Sequence, residues 1–217
     1  MAEEEIRSLP RIGEPAPDFE APTSRGPVKL SDYNGKWLML FSHPADFTPV
    51  CTTEISAFAR RYGEFQARGV ELLGLSVDSV HSHIAWTRDM AEMGAPVPFP
   101  IIADLDMSVA RRYGMIHPNE SATATVRAVF FIDPKGIVRA ILYYPMSLGR
   151  SVDELLRVID GLQTADRLGV STPADWRPGS EVIVPAPKSA AEVETPEEAR
   201  AKGYTYHTWY LRTKPQG

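Results

Sequence analysis

Two strand-length apolar runs, Trp37 to Phe41 and Val70 to Val77, flank a stretch whose apolar residues Ile55, Phe58, Tyr62 and Phe65 recur at steps of three and four. A buried run, an amphipathic helix and a second buried run form the pattern of a mixed or parallel sheet with crossover helices, and this alternation constrains the fold most. Gly69 is placed to stop the intervening helix. The pattern continues with a helix over Ser82 to Met93, a short strand over Phe99 to Ala103, and a short helix over Met107 to Tyr113 ended by Gly114. Arg127 to Ile132 and Ile137 to Tyr144 are β-branched and aromatic runs joined by Asp133-Pro134-Lys135-Gly136, where Pro presets φ and Gly accepts φ > 0, so a hairpin is expected. A helix from Ser151 follows, with Leu155, Val158, Ile159 and Leu162 on its buried side and Asp153 and Glu154 suiting the dipole of its first turn. This order predicts an α/β, thioredoxin-like core: a mixed central sheet flanked by helices, with an inserted element.

At 217 residues the chain is long enough for one domain of about 150 to 170 residues and an appendage. The composition changes near Ser171, where Pro173, Pro178, Pro185 and Pro187 mark an extended connector. The expected division is residues 1–170 for the core and 171–217 for a carboxyl-terminal extension. Within the extension, Thr195-Pro196-Glu197-Glu198 combines a capping box with Pro at the first helical position, predicting a short helix to Gly203. The tail carries Tyr204, Tyr206, Trp209 and Tyr210, an apolar patch suited to covering a partner subunit. A net charge of -5 gives no attraction for phosphate backbones or anionic membranes, so neither nucleic acid nor membrane is expected as a partner. Met1 to Leu9 holds Glu3, Glu4 and Glu5 and no apolar signal segment, which gives a cytoplasmic address by default.

One cysteine, Cys51, makes no internal disulfide, no paired redox motif and no cysteine-rich zinc site. Its surroundings are His43-Pro44-Ala45-Asp46-Phe47-Thr48-Pro49-Val50-Cys51-Thr52-Thr53-Glu54. Thr48 is a favourable N-cap and Pro49 a favourable first residue, which puts Cys51 in the first helical turn among amides without intrahelical acceptors. A thiol in that field is a candidate nucleophile. No metal or cofactor is called for; His81 and His83 near Asp78 read as a polar loop and helix start.

The string Pro44-xxx-Thr48-xx-Cys51 resembles the peroxiredoxin active-site motif, and His43 to Glu54 is similar to the one-cysteine, peroxiredoxin-6-like subfamily. Arg127, in Thr125-Val126-Arg127-Ala128-Val129-Phe130, resembles the family's active-site arginine, and Arg150 after Gly149 a supporting one. The resemblance runs from about Ile12 to Trp176 and continues into the extension. It implies that Cys51 attacks hydrogen peroxide or a small organic hydroperoxide and becomes a sulfenic acid. It also implies that Thr48 and Arg127 hold the peroxide oxygens, that Pro44 walls the pocket, and that Glu54 holds Arg127 and Arg150. It further implies that His43 flanks the pocket as a residue that binds peroxide or a reacting sulfur, and a structural role for it stands equally open. Glu54 likewise has a plain reading as a first-turn carboxylate favoured by the helix dipole.

Without a second cysteine, and with none in Tyr204 to Arg212 where archaeal-type relatives carry them, an external thiol must recycle Cys51: thioredoxin, glutathione or another. The extension supports a homodimer, and the resemblance allows a decamer of five dimers. The competing reading is an oligomeric redox sensor or chaperone-like protein in which Cys51 oxidation is a signal rather than a turnover step. The lipid hydrolysis associated with some peroxiredoxin-6 members is rejected, because Asn34-Gly35-Lys36-Trp37-Leu38 supplies no serine where their lipase-like segment does.

Overall fold

The computed structural model describes residues 9–216; the acidic residues Glu3, Glu4 and Glu5 lie outside them. The chain divides into two compact units with the boundary at Val152/Asp153, ahead of the composition change at Ser171.

The first unit opens with two short strands, β1 (Glu20–Ala21) and β2 (Val28–Lys29), paired antiparallel. It continues through β3 (Trp37–Ser42), α1 (Pro49–Arg60), α2 (Tyr62–Gln66), β4 (Val70–Ser76), α3 (Val80–Glu92) and β5 (Ile101–Ala103). It then runs through α4 (Ser108–Arg112), β6 (Arg127–Ile132) and β7 (Val138–Tyr144). The central sheet has the order β5-β4-β3-β6-β7. β3, β4 and β5 are parallel, as their helical crossovers require, while β6 runs antiparallel to both β3 and β7. This is the expected mixed sheet of a thioredoxin-like fold.

Alternation along the strands sorts the core. Leu38 and Leu40 of β3 lie with Leu73, Leu75, Ala128, Phe130 and Ile132 in one apolar cluster. Phe41 faces the other way, and its ring meets Phe58 of α1 at 4.8 Å and Phe99 at 5.7 Å, both edge-on. Phe41 pairs with Val129, so period 2 places Arg127 on the same face, toward α1. Gly74, opposite Phe41 and Ile101, leaves the room this ring needs: a Cβ there would sit 3.3 Å from Ile101 Cγ1 and 3.5 Å from Phe41 Cζ. The β6–β7 hairpin turns at Asp133–Gly136 as expected. Gly136 adopts φ 77°, and Asp133 Oδ1 accepts from the amides of Lys135 (2.9 Å) and Ile137 (3.0 Å).

Two expectations fail locally. The predicted single helix after Cys51 is two helices, broken at Arg61 (φ −104°, ψ 11°) two residues before Gly63, which weakens helix propagation there. In the second unit, α5 (Val152–Leu168) buries Leu155, Leu156 and Ile159, whereas Val158 and Leu162 are only half-buried. That set follows the 3.6-residue period from Val152.

The second unit also contains β8 (Val182–Ile183), α6 (Pro196–Ala201), β9 (Thr205–Tyr206) and β10 (Arg212–Lys214), the strands forming an antiparallel sheet in the order β8-β10-β9. Its small core is Val170, Trp176 and Val182. The capping box forms as read: the Glu198 amide donates to Thr195 Oγ1 (3.2 Å) and the Thr195 amide to Glu198 Oε2 (2.8 Å). Among the described residues no helix is long and apolar enough to cross a membrane.

Because the Gly74 Cβ position is bounded by Ile101 and Phe41, Gly74→Ala is expected to lower stability by about 1–3 kcal/mol through overpacking. Urea denaturation reads this directly; an unchanged midpoint would show that the ring packing has slack.

Candidate active site

Thr48 has the extended backbone of an N-cap (φ −109°, ψ 147°), and Pro49 starts α1 with a preset φ and no amide proton to satisfy. The first bond of the helical ladder runs from the Thr52 amide to the Thr48 carbonyl, at 2.9 Å. The amides of Val50 and Cys51 therefore precede the ladder, and Cys51 occupies the third helical position, fully buried. The Thr48 hydroxyl does not cap the helix; it donates back to the Ala45 carbonyl (2.9 Å), which leaves its lone pairs free to accept.

Facing the sulfur is a buried cluster of three charges. Arg127 Nη1 lies 3.4 Å from Cys51 Sγ and 2.7 Å from Glu54 Oε2. The same guanidinium donates through Nε (3.0 Å) and Nη2 (2.6 Å) to the Met146 carbonyl. Arg150 meets Glu54 side-on, Nε to Oε1 at 2.8 Å and Nη2 to Oε2 at 2.8 Å, while its amide donates to Oε1 at 2.7 Å and Nη1 reaches the Ala128 carbonyl at 2.9 Å. Glu54 thus accepts four hydrogen bonds, about as many as a carboxylate has lone-pair directions. Burial pushes its pKa up, but Arg150 first and then Arg127 outweigh that, and the carboxyl is held below its ordinary value. The Arg150 guanidinium also lies over the rings of Phe41 (5.4 Å) and Phe58 (5.5 Å), so the aromatic core supports it from below. One carboxylate and two guanidiniums sum to one positive charge, and it is aimed at the position where negative charge develops if the sulfur attacks.

His43 and Pro44, where the chain leaves β3, are both buried. Ser42 extends the sheet by side chain after the β3–β6 ladder ends: its Oγ donates to the Val126 carbonyl (2.6 Å) and accepts from the Ala128 amide (3.1 Å). His43 Nε2 lies 3.0 Å from Asp46 Oδ1, and Nδ1 is buried with no hydrogen-bond partner among the described residues. Burial lowers the His43 pKa, outweighing the hydrogen bond and charge of Asp46, so the ring is neutral near pH 7. Ligand-capable atoms of His43, Asp46 and Asp78 fall within 4.8 Å of one another. Hydrogen bonds account for that grouping: His43 and His83 each take one oxygen of Asp46, and Asp78 Oδ2 accepts from the Asp46 amide and Ser76 Oγ.

The sequence reading missed Asp46 and His83. His83 does lie in the first turn of α3, but it is fully buried, with Nδ1 2.7 Å from Asp46 Oδ2 and Nε2 3.0 Å from the Ile102 carbonyl. A signal was present, since His83, Trp86 and Met90 form the buried stripe of α3 at helical spacing. Met146 acts through its backbone carbonyl and is invisible to residue-type reasoning. Beside the first turn of α1, Phe47, Thr48, Pro49, Thr52, Trp86 and Met93 line a groove of about 540 Å³.

The AhpC/TSA family pattern matches residues 12–141, and the pattern for the C-terminal domain of 1-Cys peroxiredoxin matches residues 161–199. A peroxiredoxin of Aquifex aeolicus is 54% identical over 222 residues, covering 97% of this chain and 99% of its own. Peroxiredoxin 2 of Thermoplasma acidophilum is 55% identical, covering 93% and 98%. Among solved structures, the yeast mitochondrial 1-Cys peroxiredoxin superposes with TM-score 0.84 at 43% identity, covering 95% of this chain and 100% of that one. A cysteine variant of peroxiredoxin 6 of Arenicola marina gives 0.85 at 39% identity, covering 95% and 98%. These matches span both units of a chain with a single cysteine, which therefore belongs to the AhpC/TSA family as a one-cysteine peroxiredoxin, a peroxidase of the oxidoreductase class.

Proposed function

We propose that Cys51 is the peroxide-reducing nucleophile and that the chain reduces hydrogen peroxide and small organic hydroperoxides at the expense of an external thiol. The observation that carries this reading is the Arg127 guanidinium 3.4 Å from Sγ, held there by Glu54 and the Met146 carbonyl. In the proposed step the Cys51 sulfur, having given up its proton, attacks the hydroxyl oxygen of ROOH; the O–O bond breaks, RO⁻ leaves and takes up that proton as ROH, and Cys51 becomes a sulfenic acid. Arg127 and the Val50 and Cys51 amides stabilise charge on the reacting oxygens, and the Thr48 hydroxyl, its own proton committed to Ala45, accepts from the peroxide. Pro44 keeps water from the sulfenic acid. Glu54 and Arg150 act through Arg127 by fixing its orientation.

An external thiol completes the cycle by attacking the sulfenic sulfur, expelling water and forming a mixed disulfide that a second thiol reduces. The yeast relative is described as resolved through glutathione and thioredoxin systems, and the same classes of reductant are proposed here. Because Cys51 has no exposed surface, the first turn of α1 must open for that step. A thiol-rich, reducing compartment such as the cytoplasm suits this chemistry. Residues 171–217 are proposed as a partner-covering extension of a homodimer: Trp209 and Tyr210 are 51% and 54% exposed, and Trp209 lines an apolar groove of about 480 Å³ with Pro187 and Val193.

Cys51→Ser is expected to abolish thiol-dependent peroxide consumption; a variant that consumes peroxide as fast as the wild type would end the reading. Glu54→Gln leaves two buried guanidiniums short of a counter-charge and should cost about 3–5 kcal/mol of stability, read from denaturant midpoints, with the peroxide rate falling as well. Acid should weaken the fold in two stages. The folded His43 value lies below its ordinary 6.5, so the unfolded chain takes up protons that the folded chain refuses and stability falls as the pH drops below 6.5. The depressed Glu54 value contributes stability that is present above 4.5 and lost as the pH falls through its folded value. Denaturant midpoints that stay flat from pH 7 to 4 would contradict this.

A further inference from the structure

The guanidinium that faces the sulfur is anchored mainly through one backbone oxygen. Arg127 Nη1 donates to Glu54 Oε2, while Nε and Nη2 both donate to the Met146 carbonyl, at 3.0 Å and 2.6 Å. Without that carbonyl the guanidinium is free to swing about its bond to Glu54, and Nη1 leaves its place 3.4 Å from Cys51 Sγ. The aim of Arg127 therefore depends on where the Met146 carbonyl sits, which the Met146 side chain does not determine.

That carbonyl belongs to an exposed loop. β7 makes its last pair at Tyr144, opposite Arg127, and the chain is next fixed where the Arg150 amide meets Glu54 Oε1. Pro145, Ser147, Leu148 and Gly149 in between are exposed, and Pro145 has no amide to donate. The bond from the Leu148 amide to the Pro145 carbonyl (3.2 Å) is internal to the loop. Among the described residues, the one side chain besides Arg127 that bonds to this loop's backbone is Glu120, whose Oε2 accepts from the Met146 amide at 3.2 Å. The amide and the carbonyl flank the same Cα, so Glu120 holds Met146 on one side and Arg127 takes its oxygen on the other.

Glu120 is itself fixed in place. It lies between α4 and β6, in a turn where the amides of Glu120 and Ser121 donate to the His117 carbonyl (2.8 and 2.9 Å) and Ser121 Oγ accepts from the amides of Thr123 (3.2 Å) and Ala124 (3.0 Å). The turn is docked on β7 by the His117 ring, 5.1 Å from that of Tyr143, whose hydroxyl donates to the Tyr113 carbonyl (3.1 Å). The bond from the Met146 amide to Glu120 is open to solvent, so water would satisfy that amide if the carboxylate were removed, and little stability depends on it. Water does not fix where the peptide sits; a charged acceptor on a docked turn does.

We infer that Glu120 is a positioning residue for the peroxidase reaction: by bonding the Met146 amide it sets the carbonyl that aims Arg127 at Cys51. The inference rests on the reading of Cys51 as the nucleophile and of Arg127 as the charge that assists it.

The test measures single-turnover oxidation of Cys51 by hydrogen peroxide in the reduced full chain, together with the urea midpoint. Glu120→Ala is expected to slow oxidation about threefold to tenfold, the worth of one hydrogen bond, with the midpoint unmoved. Glu120→Gln, whose amide oxygen still accepts, should keep most of the rate. In an Arg127→Lys background, or Arg127→Gln should that one not fold, no guanidinium is left to aim, so Glu120→Ala should cost nothing further; a loop that had merely loosened would cost the same in both backgrounds. An unchanged rate in Glu120→Ala, an equal loss in the Arg127 background, a midpoint that falls with the rate, or a Glu120→Gln as slow as Glu120→Ala would each overturn the inference. Peroxide consumption that survives in Cys51→Ser would overturn the nucleophile reading itself, whatever the Glu120 variants do.

Discussion

The Glu54 carboxylate, saturated between two buried guanidiniums, is the interaction on which the proposed chemistry depends. It joins three parts of the first unit: α1 through its own backbone, β6 through Arg127, and the loop after β7 through the amide and side chain of Arg150. Burying three charges costs several kcal/mol per ion in desolvation, and the cluster persists because nearly every donor and acceptor in it is used. Such a cluster is weak evidence for stability and stronger evidence for position. It aims one guanidinium at one sulfur and leaves a net positive charge there.

The apolar core makes that aim possible. Strand alternation turns Arg127 to the same face as Phe41, and the rings of Phe41 and Phe58 form the floor on which Arg150 rests. Gly74 keeps the floor level by leaving room for Phe41 beside Ile101. Above it, the loop from His43 to Thr48 is held by the Asp46 amide on Asp78 and by the Thr48 hydroxyl on Ala45. Within this loop Phe47, 55% exposed, takes a left-handed backbone (φ 55°), a conformation that costs an aromatic residue roughly 1–2 kcal/mol. The loop accepts that strain and still delivers Thr48 as an N-cap and Pro49 as the first helical residue, which is what places Cys51 ahead of the helical ladder.

Much of this was legible in the sequence because it follows from local rules. Apolar runs marked β3, β4, β6 and β7, Asp133–Gly136 marked the hairpin, and Thr195 to Glu198 marked a helix start with both capping bonds. Thr48-Pro49 likewise marked the start of α1 and the position of Cys51. What was not legible depends on tertiary context. The break at Arg61 interrupts an unbroken apolar period, the Thr48 hydroxyl turns away from the helix it heads, and His83 is buried because Asp46 and the Ile102 carbonyl arrive from distant parts of the chain. The two-residue strands β1, β2, β8 and β9 are too short for any periodicity to reveal. Arg127 shows the limit most clearly: an arginine opening a strand reads as solvated by residue type, and only the resemblance in its neighbourhood pointed inward, where it is 2% exposed.

The central claim, that this buried cysteine is the atom peroxide oxidises, is most directly tested by intact-protein and peptide mass spectrometry after one equivalent of hydrogen peroxide. The account predicts the mass of a single added oxygen on the Cys51 peptide, with stoichiometric loss of peroxide and reversal by added thiol. Peroxide consumed with Cys51 unmodified, or the added oxygen found on methionine instead, would contradict it.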